Sequence, residues 1–238
     1  MMKKIEIMTE SESMLLIRWQ SVIDVSLNQQ VHHTAQAIRT VFNESIRDVI
    51  PAYHSIAVIV DPLETSVSSL CDAVEAFLLT FDEVMIQHTI RKLYIPVCYE
   101  GDYAPDMDEL SQYAQMMPDE VVKRHTAPDY PVYMIGFLPG FPYLGGLDEK
   151  LHMPRKERPR KAIAAGSVGI AGGQTGIYPL QSPGGWQLIG RTPIKLFDVA
   201  ALSPSCIHAG DVVRFVAISE QDYDAIEKGK KRWDLYTL

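Results

Sequence analysis

Twelve of the 15 glycines in this 238-residue chain lie between Gly136 and Gly190, and no helical periodicity survives through that stretch. Each glycine costs a helix interior about 1 kcal/mol relative to alanine, so the chain here must turn tightly and often. Around the glycines stand short β-branched or aromatic runs at 132–137, 186–190, 194–197 and 211–218, parted by Pro and Gly. That is the pattern of a closed or nearly closed β-barrel.

The first 95 residues read differently. Strand-like runs at 3–8 and 14–19 flank the polar turn TESES. Ser26 with Gln29 fits a capping box, and Val31, Ala35, Ile38 and Phe42 then recur on one helical face. Segments 46–50 and 55–60 predict a hairpin across Pro51. Val67, Leu70, Cys71, Val74, Phe77, Leu78 and Phe81 keep a 3.6-residue period, and 91–99 is a closing strand. This ββαββαβ order predicts an α+β class with a ferredoxin-like core over 1–95 and a barrel domain over 96–238. Between them the acidic stretch 99–127 predicts two short helices, at 106–115 and at 118–125. The second opens with Pro118, Asp119 and Glu120, favourable at a helix N-terminus.

Charge and cysteine narrow the function classes. The net charge of −8 argues against phosphate-backbone binding, which needs clustered Lys and Arg, so nucleic acid is not an expected partner. Cys71, Cys98 and Cys206 are far apart and form neither a disulfide framework nor a zinc ligand set. No stretch approaches the roughly 18 apolar residues that span a bilayer, and no signal-peptide core follows the start, so a cytoplasmic protein is expected.

Within the glycine-rich window the charge reverses, because Lys150, Arg155, Lys156, Arg158, Arg160 and Lys161 outnumber Asp148, Glu149 and Glu157. The run PRKERPRK (154–161) is either a solvated loop or an anion site in which an arginine forks onto carboxylate or phosphate oxygens. The segment that follows, AGSVGIAGGQTGIY, could converge backbone N–H groups on an oxyanion. Upstream, MIGFLPGFPYLGG sets Phe137, Phe141 and Tyr143 among prolines and glycines, as a rigid recognition surface or a barrel corner with buried rings. Trp186 reads first as core, and Arg191 as a strand-end ligand contact. His125, near Asp102, Asp106 and Asp129 in sequence, could act as acid or base. No Walker A, GxGxxG or GxSxG pattern occurs. Cys206 and His208 lack an orienting third residue, and the adjacent His32 and His33 cannot chelate one ion, so no metal site is expected.

The ordered motifs GFLPGFPYLGGLD, PRKERPR, AGSVGIAGGQTGIYP and SPGGWQLIGRTP resemble the KipI/allophanate hydrolase subunit 1 family, specifically across 132–197 and more loosely over nearly the whole chain. The resemblance implies a ferredoxin-like N-terminal domain and a cyclophilin-like barrel. It implies a component of an ATP-dependent 5-oxoprolinase, inactive alone, that opens 5-oxoproline to glutamate beside subunits C and A. ATP with Mg as counter-ion is then expected at the assembled complex, with no tightly bound cofactor in this chain. A KipI-like inhibitor of a sensor histidine kinase, or a subunit of urea carboxylase or allophanate hydrolase type, would share the same motifs. The candidate set is His125, Asp106 and Arg160 for catalysis. For an anionic substrate it is Phe137, Pro139, Phe141, Tyr143, Arg155, Gly172, Gly173, Gln174, Thr175, Tyr178, Trp186 and Arg191. The chain departs from the family pattern at Ala104, in place of glycine, and at Ala164, in place of proline.

Overall fold

The computed structural model describes residues 5–81 and 90–237 and divides into two compact units, Met1–Thr89 and Ile90–Leu238. Lys3 and Lys4 of the first predicted strand lie outside the described residues.

In the first unit, β1 (Glu6–Ser11), β2 (Met14–Arg18), β3 (Ile46–Pro51) and β4 (Ser55–Val60) form a sheet in the order β1-β2-β4-β3. Both β2 and β3 run antiparallel to β4. They are therefore parallel to each other, and α1 (Val25–Val41) links them as a split βαβ unit. Burial alternates along β2 and β4, which turns Leu15, Ile17, Ile56, Val58 and Val60 to one face. There they meet Leu27, Val31, Ala35 and Ile38 of α1, and Leu70 and Val74 of α2 (Val67–Thr80). The predicted capping box at Ser26 is not used. The cap is Asp24, whose carboxylate accepts the Leu27 amide at 2.8 Å while Ser26 donates to it. Helix geometry therefore starts two residues earlier than predicted, and an aspartate caps as well as a serine.

The second unit is built on a closed barrel. Its strands are β5 (Lys92–Cys98), β6 (Tyr130–Ile135), β7 (Pro142–Leu144), β9 (Ser167–Ala171), β10 (Gln174–Ile177), β12 (Gln187–Arg191) and β13 (Val212–Ile218), in the order β10-β7-β6-β13-β5-β12-β9. A separate ribbon pairs β8 (Arg160–Ile163) with β11 (Ser182–Gly184). Leu93, Ile95, Val97, Val132, Val168, Ile170, Ile189 and Phe215 fill the core. Leu110 of α3 (Met107–Ala114) and Val121 of α4 (Pro118–Thr126) add to it. As read from its residues, α4 has Pro118 in its first turn with Asp119 and Glu120, and Lys123, Arg124 and His125 in its last. A further helix, α5 (Glu220–Glu227), follows β13.

Two strand assignments are corrected. Residues 91–99 do not close the sheet of the first unit; β5 pairs in parallel with β13, Lys92 against Val212, and at Cys98 with Arg191 of β12. An apolar run specifies burial but not a partner more than a hundred residues away. Segment 194–197 forms no strand, and Phe197 makes only an isolated bridge to Ser205. Leu196 is nonetheless buried, so the apolar signal there reported packing. No described helix is long and apolar enough to cross a membrane.

Candidate functional site

The loop between β6 and β7 closes on itself through Gly136 N–H to the Phe141 carbonyl (3.1 Å) and Phe141 N–H to the Leu138 carbonyl (3.0 Å). Gly140 takes a positive φ, and so does Phe137, at 66°. A bulky residue in the left-handed region is strained. The strained residue is also the exposed one, with 62% of Phe137 accessible. Its ring stands edge-on to Phe141 at 5.6 Å and to Tyr178 at 6.4 Å. Phe141 meets Trp186 at 5.4 Å and Tyr178 at 5.1 Å, and Tyr143 meets Trp186 at 5.9 Å. Phe141, Tyr178 and Trp186 are buried. The loop is thus a barrel corner that also presents aromatic rings: Phe137 and the half-buried Tyr143 lie at the surface over a floor of buried rings, with Pro139 exposed at the tip.

The glycine segment does not form the predicted anion cradle. It is the hairpin β9–β10, and β9 is bonded on both edges, to β10 and to β12, so its amides are committed to ladders. Several of its glycines make room for neighbouring side chains instead. A Cβ on Gly176 would lie 3.0 Å from both Phe141 and Trp186, and one on Gly169 would lie 3.0 Å from Trp186 Cβ. Gly172, with φ 57°, fits the first central position of a type II′ turn. Its N–H goes to the Met153 carbonyl, and a Cβ on Gly173 would meet the His152 ring. Gln174 is half-buried beside this turn.

The basic run divides its charges between two sides. Lys156 and Arg160 reach Asp106 Oδ1 at 2.9 and 2.6 Å, and Lys156 also reaches Glu109. Asp106, only 2% exposed, accepts the Leu188 amide on its other oxygen at 2.6 Å. Burial alone would push this carboxyl up, but Arg160, the Leu188 amide and Lys156 outweigh it and hold it below the usual range. The pair placed among the catalytic candidates is therefore a buried ionic clamp that fixes the start of α3 and the ribbon strand β8 to β12. On the other side Arg155, Arg158 and Lys161 are exposed. Arg155 lies over the Trp186 ring at 5.9 Å, which sets a guanidinium against the ring cluster.

Arg191 is not part of that cluster. It stands five residues on from Trp186, at the far end of β12, about 16 Å away along an extended strand. Its guanidinium sits 5.5 Å from the centre of the Tyr103 ring, which packs on Tyr223 of α5 at 4.2 Å. Ala104, the departure from the family pattern, adopts a negative φ of −128°, so no glycine is required.

His125 is corrected more sharply. It is fully buried, and its ring stacks on Phe215 at 4.6 Å. Its Nδ1 is 2.8 Å from the Tyr99 hydroxyl and its Nε2 is 2.9 Å from Thr175 Oγ1. Thr175 spends its one proton on the Gly169 carbonyl at 3.0 Å, so Nε2 carries hydrogen and Nδ1 accepts from Tyr99. Burial pulls the imidazole pKa down to about 3. A neutral histidine with both nitrogens engaged is a structural strut, and Thr175, also fully buried, is the other end of it. Asp102 and Asp129, its neighbours in sequence, are not its partners. Sequence reading missed Tyr99 and Tyr103, as well as Lys156 as the second cation on Asp106, because a loop broken by Pro154 and Pro159 has no period that marks which of its cations share a partner. His208 lies between Ser203 (3.1 Å) and Arg91. The arginine can only donate, so Nδ1 accepts and Nε2–H faces the serine, the wrong tautomer for a general base.

The carboxyltransferase domain, subdomain C and D family matches residues 5–207. The 5-oxoprolinase B subunit of Bacillus subtilis (strain 168) is 41% identical over 226 residues, covering 91% of this chain and 94% of that protein. The crystal structure of TTHA0988 superposes with a TM-score of 0.76 at 31% identity over 88% of this chain, which spans only 40% of that one. The K. lactis urea amidolyase structure, 18% identical with a TM-score of 0.74 over 95% of this chain and 15% of its own, shares the fold. With a matching family profile across both units and a relative of nearly equal length at this identity, the chain belongs to the carboxyltransferase subdomain C and D family, in the company of 5-oxoprolinase B subunits.

Proposed function

We propose that this chain is the B subunit of an ATP-dependent 5-oxoprolinase, opening 5-oxo-L-proline to L-glutamate in the cytoplasm together with C and A subunits, and that it does not turn over alone. The observation that carries this is the near full-length similarity to the Bacillus subtilis protein. The barrel is read as cyclophilin-like and the split βαβ layer as ferredoxin-like. The length of TTHA0988, of which this chain spans 40%, supports a working unit larger than this chain.

The substrate is a small carboxylate with a flat lactam ring. Arg155 offers a guanidinium held over Trp186, able to fork onto a carboxylate. Phe137 and Tyr143 offer rings to cover the lactam, and the ionic clamp on Asp106 holds the segment that carries Arg155. This is a surface rather than an enclosed pocket, and in this reading a partner subunit completes it and excludes water. The residues present do not fit a nucleotide cradle, because the amide of Gly172 is taken by Met153 and β9 is bonded on both edges. ATP and its Mg are therefore assigned to another subunit. The exposed Phe137 favours a second reading, a KipI-like protein that docks its ring on a sensor histidine kinase.

The test is reconstitution of the purified chain with C and A homologues. ATP hydrolysis dependent on 5-oxoproline, lost when this chain is omitted, is the expected result. In that mixture Arg155→Ala lowers kcat/KM by roughly 10- to 100-fold, the ~1.5–3 kcal/mol of a hydrogen bond to a charged group, while Arg158→Ala does not. A complete mixture with no turnover overturns the enzymatic reading, and inhibition of kinase autophosphorylation by the chain alone establishes the second.

A further inference from the structure

Away from the ring cluster, a cleft of about 490 Å³ opens between α3, α4 and the ends of β5 and β13. Its apolar lining includes Met107, Val122 and Ile218, and Glu100, Asp108 and Asp119 line it as well, with no lysine or arginine among the lining residues. All three carboxylates are exposed. None forms an ion pair with a described residue, whereas Asp106, Glu109 and Glu120 of the same two helices and their caps are each paired.

No described lysine or arginine lines this cleft. In the basic stretch at 228–232, Lys228 pairs with Asp224 and Lys231 with Asp222. The tail beyond it is tied to the opposite end of β5, where Trp233 Nε1 donates to the Tyr94 carbonyl at 2.8 Å and Tyr94 N–H to the Leu235 carbonyl at 2.7 Å. Asp108 and Asp119 also lie in the first turns of α3 and α4, where acids stabilise a helix end. Glu100 lies in no such turn of an α-helix, yet faces the same cleft. An apolar floor within a ring of one charge sign is complementary to a segment of the opposite sign with apolar side chains on one face.

We propose that this cleft docks a basic amphipathic segment of another polypeptide, apolar side chains seated on Met107, Val122 and Ile218 and lysines or arginines against Glu100, Asp108 and Asp119. This surface is independent of the substrate reading and of the ring cluster.

The probe is a fluorescein-labelled helical peptide of leucine and lysine only, titrated into the intact chain and followed by anisotropy at rising salt. The triple variant Glu100→Gln, Asp108→Asn, Asp119→Asn is expected to weaken binding at least tenfold and to flatten the salt dependence. A control triple of equal charge change in the first unit, Glu64→Gln, Asp72→Asn, Glu75→Gln, leaves binding within twofold. Replacing the leucines of the peptide by glutamine weakens it at least tenfold as well. Equal losses in the two triples would mean diffuse attraction to an acidic protein and overturn the proposal, as would indifference to the leucines. Should the triple variant unfold, the single Glu100→Gln, outside both α-helices, must still weaken binding about threefold; unchanged affinity there overturns the proposal equally.

Discussion

Phe137 combines two features that rarely meet in one residue, a left-handed backbone and an exposed aromatic ring. With φ at 66° and 62% of the residue accessible, the ring does not gain enough burial to explain the strain. The strain is stored by the loop hydrogen bonds around it and places the ring outward. Substitution by glycine removes both ring and strain, whereas alanine removes the ring alone. Phe137→Gly is therefore expected to be more stable than Phe137→Ala by about 1 kcal/mol, read from urea midpoints, while both variants lose reconstituted oxoprolinase activity. Equal midpoints would show that the loop relaxes freely and that the strain is not built in. The aromatic content of this loop was legible in the sequence, because Phe, Pro and Gly at those spacings already restrict the chain. The positive φ was not, since Gly136 stood beside Phe137 as the conventional place for it. The role of His125 was equally hidden. Acids nearby in sequence, Asp106 and Asp129, suggested an acid-base pair, but its real partners, Tyr99 and Thr175, arrive from the end of β5 and from β10.

At the scale of elements, the glycine hairpin β9–β10 shows how one signal supports two readings. Five glycines in fourteen residues correctly announced tight turning and close approach, but the approach is of rings to backbone, not of backbone to an anion. Gly176 decides the matter. A methyl group there would meet the Pro142 carbonyl at 2.9 Å and the Phe141 and Trp186 rings at 3.0 Å. Gly176→Ala is expected to cost roughly 1–3 kcal/mol through overpacking and to shift Trp fluorescence, while an additional methyl at Gly172 meets open space and costs about 1 kcal/mol through its positive φ alone. If Gly176→Ala were neutral, the hairpin would not be what supports the ring cluster. The ionic clamp belongs to the same scale. Asp106→Asn leaves Lys156 and Arg160 without their shared anion; both are partly exposed and recover water, so the loss sits near the low end for a broken buried pair, about 3 kcal/mol. Loop 154–161 should then become protease-sensitive, and retained resistance would count against the clamp. The placement of β5 was illegible for a related reason: Leu93, Ile95 and Val97 announce a buried strand, but a parallel partner at 212–218 leaves no mark in local sequence.

Over the whole molecule, the barrel carries a titration that sets its acid limit. His125 is neutral in the folded state with a pKa near 3, against an ordinary value of 6.5. Below pH 6.5 the unfolded chain binds a proton there that the folded chain refuses, so stability is full above that pH and falls as the pH drops towards 3. From pH 7 to 5.5 the loss amounts to about 1.3 kcal/mol, approaching 1.4 kcal/mol per pH unit thereafter. His208, also lowered chiefly by burial, adds in the same direction. The paired carboxylates, Asp106 among them, are held below the usual range and contribute only near and below pH 4, so the interval from 6.5 to 4.5 belongs to histidine. Opening free energies of the β9 amides, measured by hydrogen exchange at several pH values, should show this slope in the wild type. In His125→Gln, whose amide can accept from Tyr99 and donate to Thr175 without titrating, the slope should shrink to the part that His208 supplies. A variant with the wild-type slope would mean that the barrel opens to water around His125 before it unfolds, and that this imidazole titrates like a surface one.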